Sequence, residues 1–109
     1  MPADTDVIIV LTNFPDRDSA LAVAGQLVEK RLAACVNVLD GCTSVYRWKS
    51  KLESEREVPM LVKTRVEHFE EVQAAIRSGH PYELPEILAV PVAAGLAEYV
   101  SWLHEQTSR

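Results

Sequence analysis

Residues 33–63 predict a β-hairpin whose arms are unusually long. The first arm, Ala33 to Trp48, is rich in Cys, Val, Thr and Tyr, and a two-residue turn at Ser50-Lys51 leads into a second arm, Glu53 to Lys63. Arms of about 11–16 residues exceed the usual strand of about five or six, and an isolated two-stranded ribbon is marginally stable in water. The hairpin tip is therefore expected to overhang the sheet of one chain and to pack on a neighbouring subunit in a closed homo-oligomer.

A βα segment precedes the hairpin and an αβα segment follows it. The run Val7 to Leu11 is β-branched without alternation, which is typical of a central strand covered on both faces. Thr64 to Glu67 has the form of a capping box at the start of the second helix. The predicted elements are strand 7–11, helix 16–32, strand 33–48 with a bulge at Asp40-Gly41, strand 53–63, helix 64–79, strand 86–92 and helix 96–103. The order β-α-β-β-α-β plus a C-terminal α predicts an α+β, ferredoxin-like split βαβ sandwich with both crossover helices on one face.

The chain has 109 residues and carries 16 Asp and Glu against 11 Lys and Arg, a formal net charge of −5. A phosphate backbone requires clustered positive charge, so no nucleic-acid partner is expected and a divalent cation is a better match. The size predicts one domain over residues 1–109. The first apolar run, 7–11, is too short for a signal or membrane segment, and Cys35 and Cys42 do not make a disulfide framework. A cytoplasmic protein with no membrane partner is expected.

Glutamates recur at every second position along the second arm of the hairpin. Glu53, Glu55 and Glu57 project from one strand face, because side chains alternate along a strand. The turn at 50–51 predicts the cross-strand pairs Trp48–Glu53, Tyr46–Glu55 and Ser44–Glu57. The resulting acidic and aromatic face can hold hard divalent cations weakly, since these take oxygen ligands. A solvated face that prevents aggregation is the alternative.

His80 and Cys35 are the candidate metal ligands. His80 lies between a helix end and a rigid connector, Pro81 to Pro85, and imidazole is a ligand suited to copper and zinc. Cys35 can supply a soft ligand for Cu(I), although core packing is the commoner role of a cysteine in such a strand. The chain has no motif of closely spaced His or Cys, so single ligands from several subunits would have to combine at a symmetry axis or a subunit boundary. No nucleophile, phosphate loop or oxyanion feature is recognised, so no enzymatic activity is expected.

Five separated blocks of sequence resemble the CutA family of divalent-cation tolerance proteins. The blocks are residues 32–37 (LAACVN), 44–48 (SVYRW), 57–58 with 63–64, 80–82 with 85–86, and finally Pro91, Gly95, Tyr99 and Trp102. The resemblance spans about residues 7 to 103. It implies a ferredoxin-like subunit, a tight homotrimer with hairpins exchanged around the threefold axis, a cytoplasmic location, and a link to copper and other divalent ions. It implies no established enzymatic reaction.

The chain departs from the family pattern at three positions. Thr12 stands where some members have a cysteine that is a proposed copper ligand, and Gly79 stands where some have a histidine beside His80. Ser50 occupies a turn position where glycine is common, which is expected to be tolerated if the turn does not demand a positive φ.

These observations predict a homotrimer that binds copper or other divalent cations and acts in metal tolerance or response, with His80 and Cys35 as metal ligands. The residues expected along an intersubunit cleft are Tyr46, Trp48, Glu53, Glu55, Glu57, Lys63, Tyr82 and Glu86. The alternative is a trimeric small-molecule sensor, similar to the nitrogen-regulatory proteins, with its ligand in that cleft. The lack of a long Gly-rich loop weighs against a nucleotide ligand. His68 and His104 are expected to be solvated.

Overall fold

The first strand, β1 (Val7–Phe14), lies inside the sheet with antiparallel neighbours on both sides. The computed structural model describes residues 5–109. The elements after β1 are α1 (Arg17–Glu29), β2 (Cys35–Val38), β3 (Cys42–Trp48), β4 (Lys51–Arg65), a 3-10 turn (Val66–His68), α2 (Phe69–Ser78), β5 (Ile87–Pro91) and α3 (Ala97–Gln106). The strand order β2-β4-β1-β5, with β3 paired to β4, is that of a ferredoxin-like α+β sandwich, so the predicted fold class is confirmed.

Helices α1 and α2 cover one face of the sheet, towards which every second residue of β1 and β4 points. The core side chains include Val10, Phe14, Met60 and Val62 from the strands and Val23, Leu27, Val72 and Ile76 from the helices. Asp16 begins α1 by accepting a hydrogen bond of 2.8 Å from the backbone N–H of Ser19. Helix α3 packs on one end of the opposite face, where Leu103 joins Val7 and Ala34. Among residues 5–109, no helix has the length and hydrophobicity needed to cross a membrane.

The remainder of that opposite face carries apolar side chains that are partly or largely exposed. Leu11, Leu61 and Leu88 lie in register across β1, β4 and β5, and Leu88 is 58% exposed. Among residues 5–109, residues 51–57 of β4 pair with β3 alone, so this part of the hairpin extends beyond the main sheet. Leu52, near the hairpin tip, is 75% exposed. The fold therefore leaves a projecting ribbon and an apolar sheet face uncovered within one chain.

The hairpin turn lies one residue earlier than the sequence predicts. Lys49 and Ser50 form it with φ values of 51° and 70°. The cross-strand pairs are Trp48–Lys51, Tyr46–Glu53, Ser44–Glu55 and Cys42–Glu57, so the predicted pairing is wrong by two residues. Two positive φ values are typical of a type I′ turn, whose twist matches that of the flanking strands, and the turn does demand a positive φ of Ser50. A shift of two residues leaves each side chain on its predicted face.

A bulge is present at Asp40-Gly41, where the sequence predicts it. Between its last pair in β2 and its first pair in β3, the first arm has one more residue than β4. Glycine accepts a positive φ at such a bulge, but Gly41 does not use one; a Cβ at this position would lie 2.9 Å from Nη2 of Arg56. The extra residue places Cys35 and Cys42 on the same face, whereas an unbulged strand would place them on opposite faces.

The second helix begins later than predicted, and the expected capping box is wrong. Thr64 remains in β4, where its hydroxyl donates a hydrogen bond to the carbonyl of Leu32 and cannot cap a helix. Helix α2 begins at Phe69 after the 3-10 turn. The expectation that His68 is solvated is wrong, because its side chain is buried. Its Nε2 donates a hydrogen bond of 2.8 Å to the carbonyl of Thr107 at the end of α3.

Ser50→Gly is expected to raise the free energy of unfolding by about 0.5–1 kcal/mol. Glycine relieves the cost of about 1–2 kcal/mol that an L-residue bears in the left-handed region, less the entropy of about 0.5–1 kcal/mol that glycine itself loses. Ser54→Gly, in β4 without a positive φ, is the matched control and should lower stability by about 0.5–1 kcal/mol. Urea denaturation measures both; a stabilisation by Ser54→Gly or a loss with Ser50→Gly would contradict this account of the turn.

Thr12→Val and Thr64→Val are expected to change stability in opposite directions. Both threonines are buried, but the Thr12 hydroxyl has no hydrogen-bond partner among residues 5–109, whereas the Thr64 hydroxyl donates to Leu32. Thr12→Val removes an unpaired polar atom at nearly constant volume and should raise the free energy of unfolding by about 1 kcal/mol. Thr64→Val leaves the buried carbonyl of Leu32 without its donor and should lower the free energy of unfolding by about 1–3 kcal/mol. Equal effects in chemical denaturation would rule out this explanation.

Candidate functional site

A groove of about 890 Å³ runs between the hairpin and the connector from His80 to Glu86. We refer to it as the hairpin groove. Its lining residues are Asn13, Pro15, Tyr46, Arg47, Trp48, Glu55, Glu57 and residues 82–88. The groove lies at the end of β1, on the sheet face that α1 and α2 leave uncovered. Its volume is within the range of about 300–1,000 Å³ that is usual for small-molecule sites.

The hairpin forms the first wall of the groove. Tyr46 and Trp48 alternate along β3, and Glu55 and Glu57 alternate along β4 on the same face, since paired residues of antiparallel strands share a face. Glu57, where the ribbon joins the sheet, is only 8% exposed, while Glu55 is exposed. The Nζ of Lys49 lies 5.7 Å from the centroid of the Trp48 ring, which is the distance of a cation–π contact.

The connector forms the second wall, and His80 fastens it to the end of β1. The Nε2–H of His80 donates a hydrogen bond of 2.6 Å to the carbonyl of Asn13, and Nδ1 accepts one of 3.1 Å from the backbone N–H of Tyr82. The imidazole packs against the rings of Phe14 and Tyr82, at centroid separations of 4.5 and 4.7 Å. Asn13 Nδ2 donates to the Glu86 carboxylate at 3.1 Å. Both ring nitrogens of His80 are thus used to position the connector.

Burial and nearby carboxylates raise the pKa of two phenols in the groove. Burial, followed by the charge of Glu57, raises the pKa of Tyr82 from 10.0 to about 12. Burial, followed by the charges of the three glutamates of β4, raises the pKa of Tyr46. Among residues 5–109, no Lys, Arg or His forms an ion pair with Glu57. The buried carboxylate therefore lacks a cationic partner in the described part of the chain.

The structure places six of the eight residues predicted for a cleft along the hairpin groove. These are Tyr46, Trp48, Glu55, Glu57, Tyr82 and Glu86. Glu53 shares their face of the hairpin but lies nearer the tip, and Lys63 is paired in the sheet with Ile9 and Cys35. Asn13, Pro15 and Ile87 also line the groove without having been predicted. No local signal marks them, because only strand pairing brings them to this position.

The two predicted metal ligands do not meet within one chain. Cys35 lies beside Lys63, which pairs with Ile9, whereas His80 is bonded to Asn13, two strands away and four residues further along β1. Strand spacing and rise place the two backbone sites about 15 Å apart. Within residues 5–109, no three His, Cys, Asp or Glu side chains are close enough to hold a metal ion. The role of His80 and Cys35 as ligands stays a prediction that requires further ligands from another chain.

The two departures from the family's metal-ligand positions have structural explanations. Thr12 is enclosed in the core between the sheet and the helices. A Cβ at Gly79 would lie 2.5 Å from Cγ2 of Val23, so the packing of the end of α2 against α1 leaves no room for a side chain there. Neither position presents a ligand to the groove.

The strand order and the hairpin groove define a ferredoxin-like α+β protein with an acidic, aromatic cleft beside a projecting hairpin. Residues 8–106 match the family described as CutA1 divalent ion tolerance protein. The chain belongs to this family, which confirms the resemblance seen in its sequence.

Relatives and solved structures agree with this assignment. The "Divalent-cation tolerance protein CutA" of Thermus thermophilus is 43% identical over 99 residues, which cover 91% of this chain and 96% of the relative. The protein of the same name from Escherichia coli is 40% identical over 102 residues, covering 94% and 91%. The crystal structure of CutA from Xylella fastidiosa is similar with a TM-score of 0.92 and 39% identity, covering 95% of this chain and all of that one. The Thermus thermophilus structure has a TM-score of 0.91 and 42% identity, covering 94% and 99%.

Tyr82 is expected to ionise near pH 12 in the folded protein, in a titration followed by phenolate absorbance. Because the fold raises this pKa from 10.0 to about 12, the stability that Tyr82 contributes is present below pH 10 and is lost as the pH rises towards 12. Tyr82→Phe should remove the transition near pH 12, and Glu57→Gln should move it towards pH 10. Tyr99→Phe is the control and should leave that transition in place. A transition near pH 12 that survives in Tyr82→Phe would contradict this assignment.

Proposed function

We propose that the chain assembles as a homotrimer that binds copper or other divalent cations and acts in the cytoplasm in the cell's tolerance of these metals. The family description and the names of two relatives support the link to divalent cations. The free thiols of Cys35 and Cys42 suit a reducing compartment. The threefold symmetry is taken from the family resemblance.

The uncovered surfaces of one chain support self-association. The ribbon formed by residues 51–57 and β3 has no third strand among residues 5–109, and an isolated ribbon is marginal in water. Leu52 on this ribbon and Leu88 on the apolar sheet face are both exposed. A closed ring of identical chains gives each projecting hairpin a neighbour to pack on, and so leaves no unpaired hairpin at the end of the assembly.

The observation that carries the cation-binding proposal is the buried Glu57 carboxylate in one groove with Glu55 and Glu86. Hard divalent cations take carboxylate oxygens as ligands. Within residues 5–109, the groove of one chain does not gather three such ligands close enough for a metal ion, so a neighbouring chain would complete the site. Cys35 offers a soft ligand for Cu(I), whereas the imidazole of His80 is already hydrogen-bonded at both nitrogens.

Sedimentation velocity at micromolar concentration tests the assembly. The full chain is expected to sediment as a single species of three times its 12.1 kDa mass. Leu52→Glu places a charge on the exposed ribbon and should shift the population towards the monomer if the ribbon lies in the interface. The matched control, Leu21→Glu, changes an exposed leucine of α1 and should leave the mass unchanged. A wild-type monomer would refute the trimer.

Calorimetric titration with Cu(II), Cu(I) and Zn(II) tests the ligands. Glu57→Gln is expected to weaken Cu(II) and Zn(II) binding at least tenfold, which corresponds to about 1.4 kcal/mol, because it removes a charged oxygen ligand. Cys35→Ala should weaken Cu(I) binding selectively. His80→Ala tests the remaining candidate ligand. It should weaken the binding of all three metals to a similar extent, because it removes the hydrogen bonds that hold the connector against β1. Affinities that stay unchanged in all three variants would remove these residues as ligands.

The size and lining of the hairpin groove favour a second candidate function, the sensing of a small organic molecule. A groove of about 890 Å³ with three aromatic side chains and a few carboxylates has the composition of many ligand sites. A thermal-shift screen of amines, nucleotides and organic acids tests this function, because a ligand at 100 times its Kd stabilises the fold by about 2.7 kcal/mol.

A further inference from the structure

We propose that α3 is a detachable strap, a helix that opens as a unit while the sheet, α1 and α2 stay folded. Its position sets how much of the apolar sheet face one chain exposes. The strap is a property of the single chain and depends neither on the proposed trimer nor on a metal ion. Three features of the molecule point to it: the small apolar contact of α3, the polar groups that hold its C-terminal end, and the strained backbone of Arg31.

The first feature is the small apolar contact of α3. Within residues 5–109, Leu103 is the one buried residue of this helix, and it packs with Val7 and Ala34. Helix α1 buries four residues in the main core and α2 buries two. Leu96, which precedes α3, makes no side-chain hydrogen bond to the first turn. Elements with few buried apolar contacts are those that open locally, so α3 is the helix best suited to open alone.

The second feature is a group of side chains at the C-terminal end of α3, Arg31, Arg65 and His68, which we call the latch. Arg65 donates hydrogen bonds from Nε to the hydroxyl of Thr107 at 2.9 Å and from Nη2 to its carbonyl at 3.0 Å. His68 donates to the same carbonyl at 2.8 Å. Arg31 Nη1 lies 3.4 Å from the carbonyl oxygens of residues 105–106. The partial negative charge at the C-terminal end of a helix favours guanidinium groups at this position.

The latch attaches α3 to parts of the chain that fold without it. Arg31 follows α1, Arg65 is the last residue of β4, and His68 ends the 3-10 turn before α2. The opposite end of α3 is joined to β5 by residues 92–96. Hydrogen bonds of this kind contribute little net free energy, because water replaces them when the helix opens. A helix held at one end by such bonds can therefore leave the sheet without disrupting the main core.

The third feature is the backbone of Arg31. Its φ is 59°, in the left-handed region, at the position that follows the C-cap residue Lys30 of α1. Glycine is the usual residue at this position because it adopts such a φ without strain. Glycine has no guanidinium and could not contact the carbonyls at the end of α3. Backbone strain of this kind is typical of switch regions, and here the strained residue is the one that joins α1 to α3.

Opening of α3 would lengthen the apolar face of the sheet. Val7 and Ala34, which pack with Leu103, are 4% and 8% exposed. Val7 shares a face of β1 with Ile9 and Leu11, because side chains two residues apart point the same way along a strand. The row of apolar side chains that Ile9 and Leu11 present would then extend to the start of β1. The strap thus protects one end of this face from contact with water or with another chain.

Hydrogen exchange of the full chain, followed amide by amide with NMR, tests the proposal. The amides of residues 101–106 in α3 are expected to exchange at least tenfold faster than the most protected amides of β1 and β4. Ile76→Val trims the main core, to which α3 contributes no buried residue. It should speed the exchange of the sheet amides about fivefold and leave that of α3 unchanged, because the closed and the open state of α3 lose the same contact.

Variants of the latch test how α3 is held. Arg65→Gln should speed the exchange of α3 amides about tenfold, and Arg65→Lys should restore part of the protection because it keeps a charged donor. Arg31→Gly should speed α3 exchange about threefold without speeding that of the sheet, because relief of the left-handed strain persists when α3 is open. Arg77→Gln, which removes an exposed charge from the end of α2, is the matched control and should leave α3 exchange unchanged.

Two results would overturn the proposal. If α3 and sheet amides exchange at one rate, or respond equally to Ile76→Val, α3 opens only when the whole chain unfolds. If α3 exchange is the same in Arg65→Gln as in the wild type, the latch does not hold the helix. Ile76→Val is a mild change in a core that stays filled, and it decides the matter if Arg65→Gln fails to fold.

Discussion

The backbone pairing of β4 is the constraint on which the rest of the structure depends. This strand of 15 residues pairs with β1 and β2 along its second half and with β3 along its first half. It therefore carries core residues such as Met60 and Val62 and groove residues Glu55 and Glu57 in one continuous alternation. A slip of one residue would exchange the two faces along the strand. Burial of the core side chains thus sets the register, and the position of the groove carboxylates follows from it.

The hairpin groove depends on a second interaction, the attachment of the connector to β1. His80 bridges the carbonyl of Asn13 and the amide of Tyr82 while its ring packs on Phe14. This histidine is the residue that sequence chemistry favours as a metal ligand, yet both its nitrogens are used inside the chain. Its position shows how a polar side chain beside a groove can act by holding one wall in place. The charge in the site comes instead from the strand glutamates.

Much of the fold and part of the site could be predicted from the sequence. The period-two pattern of Glu53, Glu55 and Glu57 identified their shared face correctly, although the pairing was wrong by two residues, because an even shift preserves the face. The turn was misplaced since nothing in its local sequence shows that Lys49 and Ser50 both adopt positive φ. The capping box predicted at Thr64 was wrong because the hydroxyl of Thr64 donates its hydrogen bond to the carbonyl of Leu32, which is distant in sequence.

The sequence by itself determined the fold class, the order of strands and helices, the long hairpin, and most residues of the groove wall on the hairpin, because each follows from periodicity within one segment. The tertiary structure alone decided which polar groups are satisfied and which are not. In the part of the chain that the structure describes, Thr12 is left without a partner and Glu57 is buried without an ion pair, while His80 and His68 become internal hydrogen-bond donors. These outcomes depend on segments far apart in the chain, and their proximity arises only when the strands pair and the helices pack.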